Sequence, residues 1–249
     1  EEVHGALSPV AAARLLPKDA SSLSNLGVAL LRLNLRKQAE AALRKAIERD
    51  PQFVTALVNL GGLLVQQQRH VEAEPFLLRS LQLNPASFDA LNNLAVAKEA
   101  QGKAHDAIAV LTQASRLSPS DVSVLRRLAS LLRRVNRLPE ADAVWNRSLE
   151  IEPENPDVLS EFSGALIERA DATEVERLLT KALALRPGDA ATLINLGRLR
   201  YYQGRFQDAR EAYGAAVESE PNVLGHQVIR EAARSEERRV GKECSLPCR

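Results

Sequence analysis

Asparagine stands at positions 25, 59, 93 and 195. The first three lie 34 residues apart, and Asn195 falls on the same register after Arg127 and Glu161 at the intervening places. A carboxamide carries a donor and an acceptor, so a row of them suits pairing with the N–H and C=O groups of another main chain. The residues that could do acid–base or metal chemistry are scattered by comparison. His4, His70, His105 and His226 lie far apart, and none has a carboxylate–serine or metal-ligand neighbour at usable spacing. Cys244 and Cys248 fall in the last six residues, with no His pair near them to complete a zinc site. No catalytic residue, metal site or cofactor is assigned.

The 34-residue interval has a physical carrier. Prolines recur at 17, 51, 85, 119, 153, 187 and 221, each 34 residues after the last. Counting from the third residue after each proline delimits six units: 20–53, 54–87, 88–121, 122–155, 156–189 and 190–223. Just before each unit stands a side chain able to accept from free helix N–H groups: Asp19, Ser87, Asp121, Asn155 and Asp189, with Phe53 the exception. At the fifteenth position Asn34, Gly102, Asn136 and Gly204 tolerate the left-handed turn that ends a helix, while Gln68 and Ala170 depart from that chemistry. Each unit therefore reads as two helices of three or four turns joined by a short turn, with the proline stopping the second.

The units also share a packing code. The eighth position is small (Gly27, Gly61, Ala95, Ala129, Ser163, Gly197), and the twentieth is Ala in every unit but the fifth, where it is Val175. Against these stand large residues at the twenty-fourth: Leu43, Leu77, Leu111, Trp145, Leu179 and Tyr213. A single hairpin cannot bury such a face, so the units must stack.

Small at eight, Ala at twenty, large at twenty-four, small at twenty-seven and Pro at thirty-two resembles the tetratricopeptide repeat. The resemblance covers residues 20–223 and implies an all-α, right-handed solenoid of stacked antiparallel helix pairs. Residues 1–19 look like part of a preceding repeat, and 224–233, with Leu224, Val228, Ile229 and Ala232 on one stripe, like a capping helix or the start of a seventh. The 35-residue RNA-reading relative is disfavoured because the period stays at 34.

In that family the first helices line a concave groove that binds peptides, and the sixth position faces it. The resemblance thus places Asn25, Asn59, Asn93, Arg127, Glu161 and Asn195 in the groove, a ladder similar to the repeat arm of O-linked N-acetylglucosamine transferases. Two roles are open to the amides: holding an extended peptide, or suiting a half-exposed face between neighbouring repeats. Arg127 and Arg134, two helical turns apart, are open to a partner's carboxylate or phosphate, or to pairing with Glu161 and Glu168 of the next repeat. Trp145 and Tyr213 read as packing; of Tyr201 and Tyr202, at the end of a first helix, Tyr201 is the candidate for stacking on a ligand. No repeat pairs Lys at the fifth position with Asn at the ninth, so the clamp of chaperone-tail co-chaperones is not expected.

The end of the chain differs. Residues 234–244, RSEERRVGKEC, match no repeat position and look like a translated sequencing adapter, so 234–249 is read as non-native. Without that segment the chain has 28 basic against 29 acidic residues, a balance that makes no general case for nucleic acid or an anionic membrane. No stretch approaches the roughly 18 apolar residues of a membrane span. The absence of Met suggests a fragment or processed product. The expected function is a protein-interaction scaffold binding a peptide or partner surface. The alternative is the substrate-recognition arm of a larger glycosyltransferase or sulfotransferase.

Overall fold

The computed structural model describes residues 19–167, 169 and 171–220. The partial repeat before Asp19, the helix expected at 224–233, the tail with both cysteines, and Glu168 and Ala170 lie outside the described residues. Among the described residues there are twelve helices and no strand. They pair as the 34-residue code requires: α1 (Ala20–Arg32) with α2 (Arg36–Arg49), α3 (Val54–Gln66) with α4 (His70–Leu83), and α5 (Phe88–Ala100) with α6 (Ala104–Leu117). Then follow α7 (Val122–Arg134), α8 (Leu138–Ile151), α9 (Pro156–Leu166), α10 (Ala172–Leu185), α11 (Ala190–Tyr202) and α12 (Phe206–Ser219). The result is an all-α repeat solenoid. It divides into two compact units, Glu1–Val124 and Leu125–Arg249, each built alike.

Local chemistry sets both ends of the first helices. Asp19 accepts from the Ser22 N–H at 2.8 Å, Asp121 from Ser123 and Val124, Asn155 from Asp157 and Val158, and Asp189 from Thr192. Phe53 has no such bond and packs instead against the core of the first unit. At the other end, Asn34 N–H donates to Leu31 O and Leu35 N–H reaches back to Leu30 O, the paired bonds that close a helix through a left-handed residue. The same pair recurs in repeats two, three, four and six. Gln68, which the sequence marks as an exception, adopts φ +61° beside Asn34 at +59° and Asn136 at +62°. The position imposes the conformation and the side chain merely tolerates it.

The prolines act in the turns between repeats. Phe53 N–H donates to Asp50 O, and the equivalent bond recurs at Ser87, Asp121, Asn155 and Asp189, so each proline occupies the second place of a β-turn that its fixed φ suits. Pro75 breaks the pattern, lying inside α4. Its missing N–H would have met the carbonyl of Val71, a residue that is 74% exposed.

The small-and-large code is visible as contact. A Cβ on Gly27 would stand 2.7 Å from Leu43 Cγ, and one on Gly61 2.5 Å from Leu77 Cδ2. Leu43, Leu77 and Leu111 are wholly buried, each contributing roughly 1.5–3 kcal/mol of transfer free energy. Trp145 stacks on Phe162 of the following repeat, ring centroids 5.5 Å apart.

A further tie joins successive second helices to their neighbours through an acid at position twenty-one. Glu40 accepts from Arg69 at 2.7 Å and Glu74 from Lys98 at 2.8 Å in the first unit. In the second, Asp142 takes Arg169 and Glu176 takes Arg200. Repeat three has Ile108 at this place, buried instead.

Candidate peptide-binding face

First helices lie side by side within each unit: α1 touches α3, α3 touches α5, and α9 touches α11. The offset between neighbours can be read from two contacts. A Cβ on Gly62 would meet the Asn93 amide nitrogen at 3.1 Å, and one on Gly164 would meet the Asn195 amide at 2.7 Å. The ninth position of one repeat therefore lies against the sixth of the next.

This offset gives the asparagines unequal roles. Asn195 Nδ2 donates to the carbonyl oxygen of Ser160, the fifth residue of the preceding repeat, at 3.0 Å. Asn59 and Asn93 are half-buried and Asn25 is exposed, and none of the three has a side-chain hydrogen-bond partner among the described residues. The amide thus ties neighbouring repeats at Asn195, while the side chains of Asn25, Asn59 and Asn93 make no such tie among the described residues.

Repeats four and five carry charge in place of amides. Glu161 is met by Arg126, one residue before the arginine singled out from the sequence: Arg126 reaches Asp157 at 2.9 Å and Glu161 at 2.5 Å. The reason is the same offset, which sets a fifth position against the second and sixth of the next repeat. Asp157 also accepts from Arg186 at 2.7 Å. Burial disfavours the charge on Arg126, but Glu161 and Asp157 outweigh it and hold the guanidinium above its ordinary pKa. Nε of Arg126 and Oε2 of Glu161 are buried without a hydrogen-bond partner among the described residues. Arg127 is half-buried and Arg134 exposed.

Tyr201 is more enclosed than its candidacy implies. It meets Phe206 edge-on at 5.5 Å and Tyr202 at 6.0 Å, and packs against the core of repeat six. Tyr202, 56% exposed, presents more of its ring to solvent. His70 and His105 sit on different helices, and no group of three His, Cys, Asp or Glu among the described residues could hold a metal ion. No helix among them is long and apolar enough to cross a membrane.

Comparison with known families agrees with this architecture. Two tetratricopeptide repeat models match residues 92–156 and 166–228, and the middle TPR-like domain of cilia and flagella-associated protein 70 matches residues 11–118. The chain is a tetratricopeptide-repeat protein. A search of curated proteins finds no significant sequence match. Among solved structures, PilF of Pseudomonas aeruginosa aligns with TM-score 0.68 at 20% identity, over 85% of this chain and 96% of its own. YrrB, described as a TPR protein with an unusual peptide-binding site, aligns with TM-score 0.62 at 18% identity, over 78% and 98%. MamA of Desulfovibrio magneticus RS-1 gives 0.64 at 16%, over 69% and 97%. At these identities the likeness is one of fold. The matches to the tetratricopeptide repeat family support a protein-interaction scaffold in general terms.

Proposed function

We propose that the chain holds an extended peptide along the first-helix face of repeats one to three, using Asn25, Asn59 and Asn93 as rungs. One observation carries the reading: these amides recur once per helix on adjacent helices, and their hydrogen-bonding capacity is not spent within the described residues. Packed helices lie about 8–10 Å apart, and an extended chain advances about 3.3 Å per residue. Each rung then meets a peptide roughly every third residue, so a segment of about seven residues spans all three. Backbone groups are the natural partners of such amides, which makes the contact tolerant of side-chain sequence.

The described peptide-binding site of YrrB is consistent with this use of the fold, although the reading here rests on the amides of this chain. Asn195 and Glu161 are tied internally, so the backbone-holding role is assigned to repeats one to three. Arg127, Arg134 and Tyr201 contribute at most side-chain contacts in this reading. The test is titration of the chain, and of a variant with all three asparagines replaced by alanine, with an unstructured peptide selected from a display library. The variant should bind at least about tenfold more weakly, the loss of two or three net hydrogen bonds. Affinity unchanged by the triple replacement would remove the ladder.

A further inference from the structure

Helix α7 divides cleanly into two faces. Every apolar residue of Val122–Arg134 is buried. At 100° per residue the rest fall in one arc of about 120°: Ser123, Arg126, Arg127, Ser130, Arg133 and Arg134. That arc holds four guanidinium groups, two hydroxyls and no carboxylate.

Four arginines so close repel one another unless acids answer them. Two of the four are engaged within the chain: Asp157 and Glu161 of α9 both go to Arg126, in the first half of the helix, and Arg127 is not free either. Arg133 and Arg134, in the last turn, are exposed and have no carboxylate partner among the described residues. The negative end of the helix dipole favours a cation there, but this effect is worth only about 0.3–1 kcal/mol and is met by one.

We infer that this arginine face receives an acidic segment of a partner protein, whose Asp or Glu side chains are taken by Arg133 and Arg134. A guanidinium binds a carboxylate through two parallel N–H donors, a geometry an exposed, unpaired arginine can adopt without breaking an internal bond. The complementarity also selects against nucleic acid. A phosphodiester backbone carries a charge on every residue and would lay some of them against Asp157 and Glu161. A polypeptide can put its acids opposite the arginines alone. The inference rests on the scaffold reading but uses none of the asparagines.

The experiment is fluorescence anisotropy of the full chain with a labelled polyglutamate peptide, and with polylysine, Gly-Ser and oligothymidylate probes of similar length. Polyglutamate should bind, and more weakly as salt is raised from about 50 to about 300 mM. The double variant R133S/R134S should lose about tenfold or more. A charge-matched control, R79S/R116S, removes two exposed arginines of the first unit and should stay within about twofold. The triple asparagine variant should also keep its affinity for polyglutamate, which separates this inference from the peptide ladder. Three results would overturn it: no polyglutamate binding, equal losses in the two arginine pairs, or oligothymidylate binding as tight as polyglutamate and lost with Arg133 and Arg134.

Discussion

The amide of Asn195 is bound to the backbone carbonyl of Ser160, one repeat back, at 3.0 Å. Asn93 occupies the same place against Gly62 that Asn195 occupies against Gly164, yet has no bonded partner among the described residues. Identical residues at identical positions thus do different work, one as a structural tie and the other as an available donor and acceptor.

Stability should separate them. Asn195→Ala removes a side-chain hydrogen bond between repeats and should cost about 1 kcal/mol in urea unfolding. Asn59→Ala and Asn93→Ala should each stay within about 0.5 kcal/mol of the parent. Equal losses at all three sites would mean that the whole ladder is structural.

Gly197 and Tyr213 show how closely the eighth and twenty-fourth positions meet. A Cβ on Gly197 would stand 2.5 Å from Tyr213 Cε1 and 2.6 Å from Cδ1. Gly197→Ala should therefore destabilise by about 1–2 kcal/mol, overpacking outweighing the helical preference for alanine. In a Tyr213→Leu background the same change should cost less, since repeat three carries Ala95 with Leu111. A double-mutant cycle with no coupling between the two sites would contradict the contact.

Gln68 holds φ +61° without the side chain for it. Gln68→Gly should raise stability by about 0.5–1 kcal/mol, the relief of a left-handed residue less the added freedom of the unfolded chain. The melting temperature of the full chain reads this directly, and a fall would show that the Gln68 side chain contributes more than its backbone costs.

How much of this was legible in the sequence follows from what a period can encode. Position within the repeat was visible in full, so Asp19, Asn34, Pro51 and the Gly61–Leu77 contact all stand where the 34-residue register puts them. The offset between neighbouring helices was not, because it is fixed by packing and leaves no residue type behind. That offset makes Arg126 the partner of Glu161, where Arg127 shares Glu161's repeat position, and it spends Asn195 on Ser160 while leaving Asn93 open. The acid at position twenty-one was present as Glu40, Glu74, Asp142 and Glu176, but a surface acid acquires meaning only once Arg69, Lys98, Arg169 or Arg200 is known to lie opposite.

The tie at Glu74 gives a pH dependence of known sign. Its hydrogen bond from Lys98, against the cost of burial and with help from Gln101, holds the carboxyl at about 2 against an ordinary 4.5. A depressed folded pKa means the stabilisation is complete above the ordinary value and is lost as pH falls from 4.5 through about 2. Lys98→Met should make the decline of stability across that window shallower, as measured by unfolding at a series of pH values. An unchanged slope would assign the acid sensitivity to other carboxylates.

The claim that most needs testing is that Asn25, Asn59 and Asn93 hold a main chain. Calorimetric titration of a library-selected peptide should use two ligand forms, the parent and one methylated at backbone nitrogens facing the rungs. The parent peptide should bind the chain and lose at least about tenfold in affinity when the three asparagines become alanine, or when its backbone nitrogens are methylated. Affinity within about twofold in both cases, with helical content unchanged, would contradict the ladder outright.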